Sequence, residues 1–235
     1  MITITQLKKQ FGETIVCDIP SFTMNDGDVL GLVGNNGAGK TTLFRMILDL
    51  LKPDAGEIML NGDINPALSE EWKQFTGAYI DEGFLIDYLT PEEYFSFLGK
   101  ISGISQQEVN TRLQAFEHFA GGELFGQNKL IRNLSAGNKQ KVGIISALIR
   151  QPQLVILDEP FNFLDPTSQN VLKHLIKDYA QNTGATILIS SHNLQHTVDI
   201  STRIALLEKG VIIRDLKRED ENATQELNAY FEQQI

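Results

Sequence analysis

The sequence predicts an α/β protein in which a parallel sheet forms the core, antiparallel β strands precede it, and a helical subdomain is inserted at about 84–151. Three observations carry that reading. Val29-Leu30-Gly31-Leu32-Val33 has no polar position, as suits a strand covered on both faces of a parallel sheet. Leu154 to Leu157, a helical stripe through Val171, Leu172, Leu175 and Ile176, and then Thr186 to Ile189 give strand, helix, strand, the alternation of such a sheet. The segment 84–151 offers helical spacings and little that resembles a strand.

Taken in chain order, residues 1–235 read as one domain. Ile2 to Thr5 alternates, and Thr14 to Ile19 and Glu57 to Leu60 are further strands bounded near Gly or Pro. From Thr41 the stripe Leu43, Ile47, Leu50 and Leu51 predicts a helix that stops before Pro53. Tyr94, Leu98 and Ile101, then Val109, Leu113 and Phe116, predict two more, broken at Gly103. Arg203 to Leu207 and Val211 to Ile213 flank Glu208-Lys209-Gly210 as a hairpin. The tail from Lys217, with Leu227, Tyr230 and Phe231, reads as a short amphipathic helix.

Charge and composition narrow the function. The chain carries 20 Lys+Arg against 30 Asp+Glu, a net charge of −10. That sign is opposite to the basic footprint expected of a protein bound to nucleic acid by phosphate neutralisation, so no nucleic acid partner is expected. The single Cys17 cannot form an internal disulfide, which fits a reducing compartment, the cytoplasm. The N-terminus has no secretory pattern. Apolar runs such as Val142 to Ile149 are far shorter than the ~18 residues that cross a bilayer.

Gly34-Asn35-Asn36-Gly37-Ala38-Gly39-Lys40-Thr41 fills the P-loop pattern between an expected buried strand and an expected helix. Glycines let successive backbone N–H groups turn into one concavity at a helix N-terminus, where unpaired donors and the helix dipole favour phosphate. Lys40 is expected to reach the β- and γ-phosphates, and the Thr41 hydroxyl to ligate Mg²⁺, with Thr42 next in the same turn. Lys40 is read as a surface side chain whose loss costs nucleotide affinity rather than fold. The strand Leu154 to Leu157 runs into Asp158-Glu159-Pro160. That places Asp158 beside the metal and leaves Glu159 as base for an attacking water, a role typically contributing 10²- to 10⁴-fold. His118, His174 and His196 have no companions at metal-ligand spacing.

With these residues the chain resembles the ATP-binding subunit of an ATP-binding cassette (ABC) transporter along nearly its whole length. Leu134-Ser135-Ala136-Gly137-Asn138-Lys139-Gln140-Lys141 is similar to that family's LSGGQ signature, and Gly137 lies 100 residues beyond Gly37, a typical separation there. Phe11-Gly12 resembles the aromatic position that stacks on adenine, Leu164-Asp165 the loop after the carboxylates, and Ser190-Ser191-His192 the switch histidine. The resemblance implies the ABC ATPase fold on a P-loop NTPase core. It also implies ATP and Mg²⁺ as ligands, and catalysis by Lys40, Glu159 and His192. As partners it implies a homodimer or paralogous subunit, whose Ser135 and Gly137 face the other P-loop, and an integral membrane permease. The chain would then sit in the cytoplasm, on the inner face of the membrane.

Two departures qualify it. Ala136 and Asn138 stand where glycine and glutamine are usual, while Ser135 and Gly137 are kept. The glutamine that joins the γ-phosphate to the permease falls, counting from Gly77, on Asp81 or its neighbour Glu82. A carboxylate can ligate Mg²⁺ but cannot donate as an amide does. An acid there resembles one group of bacterial drug and peptide exporters, so export is expected over import. The alternatives are a nucleotide-gated module that hydrolyses slowly and an ABC ATPase outside transport.

Overall fold

The computed structural model describes residues 2–218; the helix expected around Leu227, Tyr230 and Phe231 lies outside them. In chain order the strands are β1 (Ile2–Phe11), β2 (Thr14–Met24), β3 (Val29–Val33), β4 (Ala55–Leu60), β5 (Thr76–Tyr79), β6 (Leu154–Leu157), β7 (Thr186–Ser191), β8 (Arg203–Glu208) and β9 (Val211–Lys217). The helices are α1 (Lys40–Ile47), α2 (Trp72–Phe75), α3 (Pro91–Ile101), α4 (Gln106–Gln114), α5 (Glu117–Ala120), α6 (Ala136–Leu148), α7 (Pro166–Thr183) and α8 (Leu194–Val198). Strands β2-β1-β4 form a small antiparallel sheet. The larger sheet has the order β5-β6-β7-β3-β8-β9 and is parallel except where β9 returns along β8, the expected hairpin.

The other expected elements are present among the described residues, and three of the differences in extent or number have local causes. Strand β2 passes beyond Ile19 and through Pro20. It is an edge strand, where a residue without an N–H is tolerated. Helix α1 ends at Ile47, because Asp49 turns left-handed with φ +52, and Leu50 is left exposed. Strand β5 had no counterpart in the sequence pattern; its four residues include Gly77, and it is hidden beneath α6.

Packing explains that concealment. A Cβ on Gly77 would lie 2.0 Å from the carbonyl oxygen of Ala147 on α6, and one on Gly143 of α6 would lie 2.0 Å from the Tyr79 ring. Two glycines therefore let α6 rest with its backbone almost on β5. The C-terminal part of the inserted segment thus covers the sheet, while α3, α4 and α5 pack beyond it on the same core around Phe95, Phe119, Ile145 and Val155. On the opposite face α1 lies between the two sheets, with Leu43, Phe44, Met46 and Ile47 buried against residues such as Ile4, Leu32, Ile156 and Leu188. Burial of each such side chain contributes roughly 1.5–3 kcal/mol, which holds an eight-residue helix that would be marginal alone.

Candidate functional site

The loop between β3 and α1 is wedged between neighbouring strands. A Cβ on Gly34 would stand 2.3 Å from the Leu207 carbonyl oxygen and one on Gly39 2.4 Å from that of Val16, while Gly37 and Gly39 have φ of +82° and +109°. Only glycine satisfies both demands at Gly39. Asn35, Asn36 and Gly37 face outward, Ala38 packs inward, and Thr41 and Thr42 are half-buried in the first turn of α1. Lys40 differs from expectation: it is buried, not a surface side chain. Its ammonium folds back into the loop and donates to the carbonyls of Gly34 at 2.6 Å and Asn35 at 3.3 Å.

The carboxylates arrive from the centre of the sheet. Strand β6 is buried along its length and delivers Asp158, also buried, to its carboxyl end, the edge where open α/β sheets bind ligands. The Thr41 hydroxyl donates to Asp158 Oδ2 at 2.5 Å and the Ser190 hydroxyl to Oδ1. Burial pushes the Asp158 carboxyl up, with these two hydroxyls and Lys40 opposing it. Thr41 and Asp158 thus present two hard oxygens within one hydrogen bond of each other, a donor set that fits Mg²⁺.

Glu159 has a left-handed backbone, φ +47. Its Oε1 lies 3.1 Å from Lys40 Nζ, and its Oε2 lies 2.8 Å from His192 Nδ1 and accepts from the His192 N–H at 3.2 Å. Lys40, Glu159 and His192 therefore form one line of contacts. The Glu159 N–H donates to Ser190 Oγ at 2.8 Å, and its carbonyl accepts from Gln140 Nε2 and from the Asn162 N–H, each at 3.1 Å. Gln140 belongs to the signature-like stretch, though nothing in the sequence ties it to Glu159, and Asn162 carries no signal there.

A cleft of about 510 Å³ is lined by Thr41, Asp81, Ala136, Gln140, Asp158 and Glu159 among others. Asp81 accepts from the Gly83 N–H at 2.9 Å, capping a short 3₁₀ turn, and pairs with Arg45 of α1 at 3.2 Å. Glu82 pairs with Lys139 of α6 at 2.9 Å. Each acid in this segment has its own cation. Ser135 caps α6 by accepting from the Asn138 N–H at 3.2 Å. Gly137 is packed against its own chain, since a Cβ there would lie 2.7 Å from the Phe163 carbonyl oxygen. Phe11 stands apart from the cleft lining, half-exposed at the end of β1, with Lys9 Nζ 5.5 Å above its ring. Among the described residues there is no group of three or more His, Cys, Asp or Glu able to hold a metal; His196 lies against Phe161 with ring centres 4.8 Å apart.

A phosphate-binding loop and two strand-end carboxylates on a mostly parallel sheet define a P-loop nucleoside triphosphatase. The family model described as ABC transporter matches residues 17–162, and the chain belongs to that family as an ATP-binding ATPase subunit. Among curated proteins it is 34% identical over 212 residues to the uncharacterized ABC transporter ATP-binding protein YhaQ of Bacillus subtilis, covering 89% of this chain and 69% of that one. It is 32% identical to the ABC transporter ATP-binding protein NatA of the same organism, covering 91% and 88%, and 32% identical to the bacitracin transport ATP-binding protein BcrA of Bacillus licheniformis, covering 92% and 69%. A solved ATP-binding subunit of an ABC transporter superposes with a TM-score of 0.85 at 26% identity, covering both chains fully. The dimeric cassette MJ0796 bound to ADP and Pi shares the fold, with a TM-score of 0.81 at 22% identity over 93% of this chain and 99% of that one.

Proposed function

We propose that this ATPase works as one half of a dimer, with itself or a paralogous subunit, that closes around two ATP·Mg and drives a separate integral membrane permease outward. The observation that carries the reading is the convergence of Lys40, Thr41, Asp158, Glu159 and His192 at the carboxyl ends of β3, β6 and β7. In this reading the backbone N–H groups from Gly34 to Thr41 and the Lys40 ammonium receive the phosphates, while Phe11 takes the adenine. Thr41 and Asp158 would hold Mg²⁺, which supplies charge neutralisation on the phosphates. Glu159 accepts the proton of the attacking water, and His192 holds the carboxylate in place through Oε2. Ser135 and the exposed start of α6 face the nucleotide of the other subunit.

An acid at Asp81 or its neighbour Glu82, where many relatives carry a glutamine, resembles one group of bacterial drug and peptide exporters and supports the outward direction. Relatives include a linearmycin resistance ATP-binding protein of Bacillus subtilis and a Nod factor export ATP-binding protein of Burkholderia lata, besides the methionine import ATP-binding protein MetN of Rhizobium johnstonii. In this reading the permease spans the membrane and the ATPase docks on its cytoplasmic face; no helix among the described residues is long and apolar enough to cross a membrane. Glu159→Gln tests the reading: nucleotide affinity is kept, hydrolysis falls by about 10²-fold or more, and gel filtration with ATP·Mg shows a dimer. Hydrolysis at the parental rate would refute the role given to Glu159.

A further inference from the structure

Glu159 is held in a backbone conformation that residues with a Cβ disfavour, and such a residue persists where its neighbours over-determine it. Three hydrogen bonds do so here: Ser190 on its N–H, and Asn162 and Gln140 on its carbonyl. The bond from Gln140 is the one that comes from α6, the helix that Ser135 caps. We propose that Gln140, itself oriented by Tyr79, is a positioning residue that couples α6 to the carboxylate of Glu159 during hydrolysis. The proposal rests on the reading of Glu159 as general base.

The polarity of the chain is fixed by chemistry. A backbone carbonyl only accepts, so the Gln140 amide must turn its NH₂ to Glu159 and its oxygen to Tyr79, whose hydroxyl then donates at 3.2 Å. Gln140 is 6% exposed, so an unmade bond at either end of its amide carries a desolvation cost. Burial pushes the Tyr79 hydroxyl far above its ordinary value, which keeps it a donor. The Tyr79 ring fits beside α6 only because residue 143 is glycine. A shift of α6 therefore pulls on the peptide that carries Glu159, and catalytic groups tolerate only about 0.5 Å of displacement.

The test uses the full chain with Gln140→Met, which keeps length and loses both bonds, and Tyr79→Phe, which loses one oxygen. Steady-state ATP hydrolysis is measured for each alone and combined with Glu159→Gln. The expected result is a kcat about tenfold lower for Gln140→Met and about threefold lower for Tyr79→Phe, the worth of a neutral hydrogen bond, with KM for ATP within about twofold. In the Glu159→Gln background neither change should move the residual rate beyond about twofold, because both act through the group already removed. Folded variants with parental kcat, a KM effect alone, or the same fold-loss in the Glu159→Gln background would overturn the proposal. Should Gln140→Met not fold, Tyr79→Phe is judged on the same criteria. Parental hydrolysis by Glu159→Gln alone overturns the base assignment itself and this proposal with it, whereas a slow Glu159→Gln beside unaffected Gln140→Met and Tyr79→Phe overturns only the coupling.

Discussion

Lys40→Met should destabilise the nucleotide-free protein as well as abolish ATP binding, because Lys40 is the buried counter-ion of a half-buried carboxylate. Its Nζ lies 3.1 Å from Glu159 Oε1, with side-chain exposures of 6% and 19%. At that separation and an effective dielectric near 20 the gross attraction is about 5 kcal/mol. Breaking a fully buried pair by removing one partner costs about 3–5 kcal/mol. Glu159 retains some water and keeps His192 on Oε2, but Oε1 is a buried atom with no hydrogen bond of its own, so the expected net loss is about 2–3 kcal/mol. For a chain of this size that lowers the thermal midpoint by about 4–12 °C. Circular dichroism melts without nucleotide measure it. Glu159→Gln added to Lys40→Met should then recover about 2 kcal/mol, since the neutral amide no longer needs a cation. A midpoint within about 1 °C of the parent, or strictly additive losses in the double variant, would refute the claim that the pair exists in the empty protein.

Other expectations follow from the same contacts. Gly137→Ala should lower the melting midpoint of the nucleotide-free chain along with turnover, since its Cβ meets the Phe163 carbonyl of its own chain; lost turnover with an unchanged midpoint would mean that it acts only between subunits. Ser135→Ala should cost about 1 kcal/mol through the lost cap of α6, read by urea unfolding. Asp81→Asn weakens the Arg45 pair and should shift the curve of hydrolysis against Mg²⁺ concentration, with metal-free ATP binding unchanged or slightly tighter; superimposable curves would remove Asp81 from the metal's surroundings. The Ser168 hydroxyl and then its N–H hold the Asp165 carboxyl below its ordinary value. Its contribution is therefore complete above the unfolded value near 4 and fades as pH falls through the lower folded value. Asp165→Asn should melt below the parent at pH 7 and converge with it as pH falls through the lowered folded value.

Much of the fold could be read because its signals are local. The all-apolar β3 and β6, the glycine pattern after Val33 and the paired acids after Leu157 announce themselves within a few residues. What could not be read depends on approach from elsewhere in the chain. Strand β5 has too few apolar positions to show a period, and Gly77 is explained only by the Ala147 carbonyl above it. The passage of β2 through Pro20 depends on which strand lies at the sheet edge. Lys40 looks like any exposed lysine until Gly34, Asn35 and Glu159 are brought around it. Gln140 is visible only as part of the signature-like stretch and Asn162 not at all, and their place at Glu159 is created by α6 resting on β5 and by the turn after β6.

The seat of α6 on β5 also has a mechanical consequence. Where glycine at 77 and at 143 brings the backbone of a helix onto a strand and its Tyr79 ring, little compliant material is left to absorb relative motion, so α6 pivots about Gly143 more easily than it slides. From Gly143 to the Ser135 cap the helix runs about 12 Å at 1.5 Å per residue, which makes it a stiff lever with a short arm. A tilt of only about 5° would move its tip by ~1 Å. Whatever touches the exposed start of this helix therefore needs to do little work to be felt at the fulcrum, and any side chain introduced at Gly77 or Gly143 would lift the fulcrum itself.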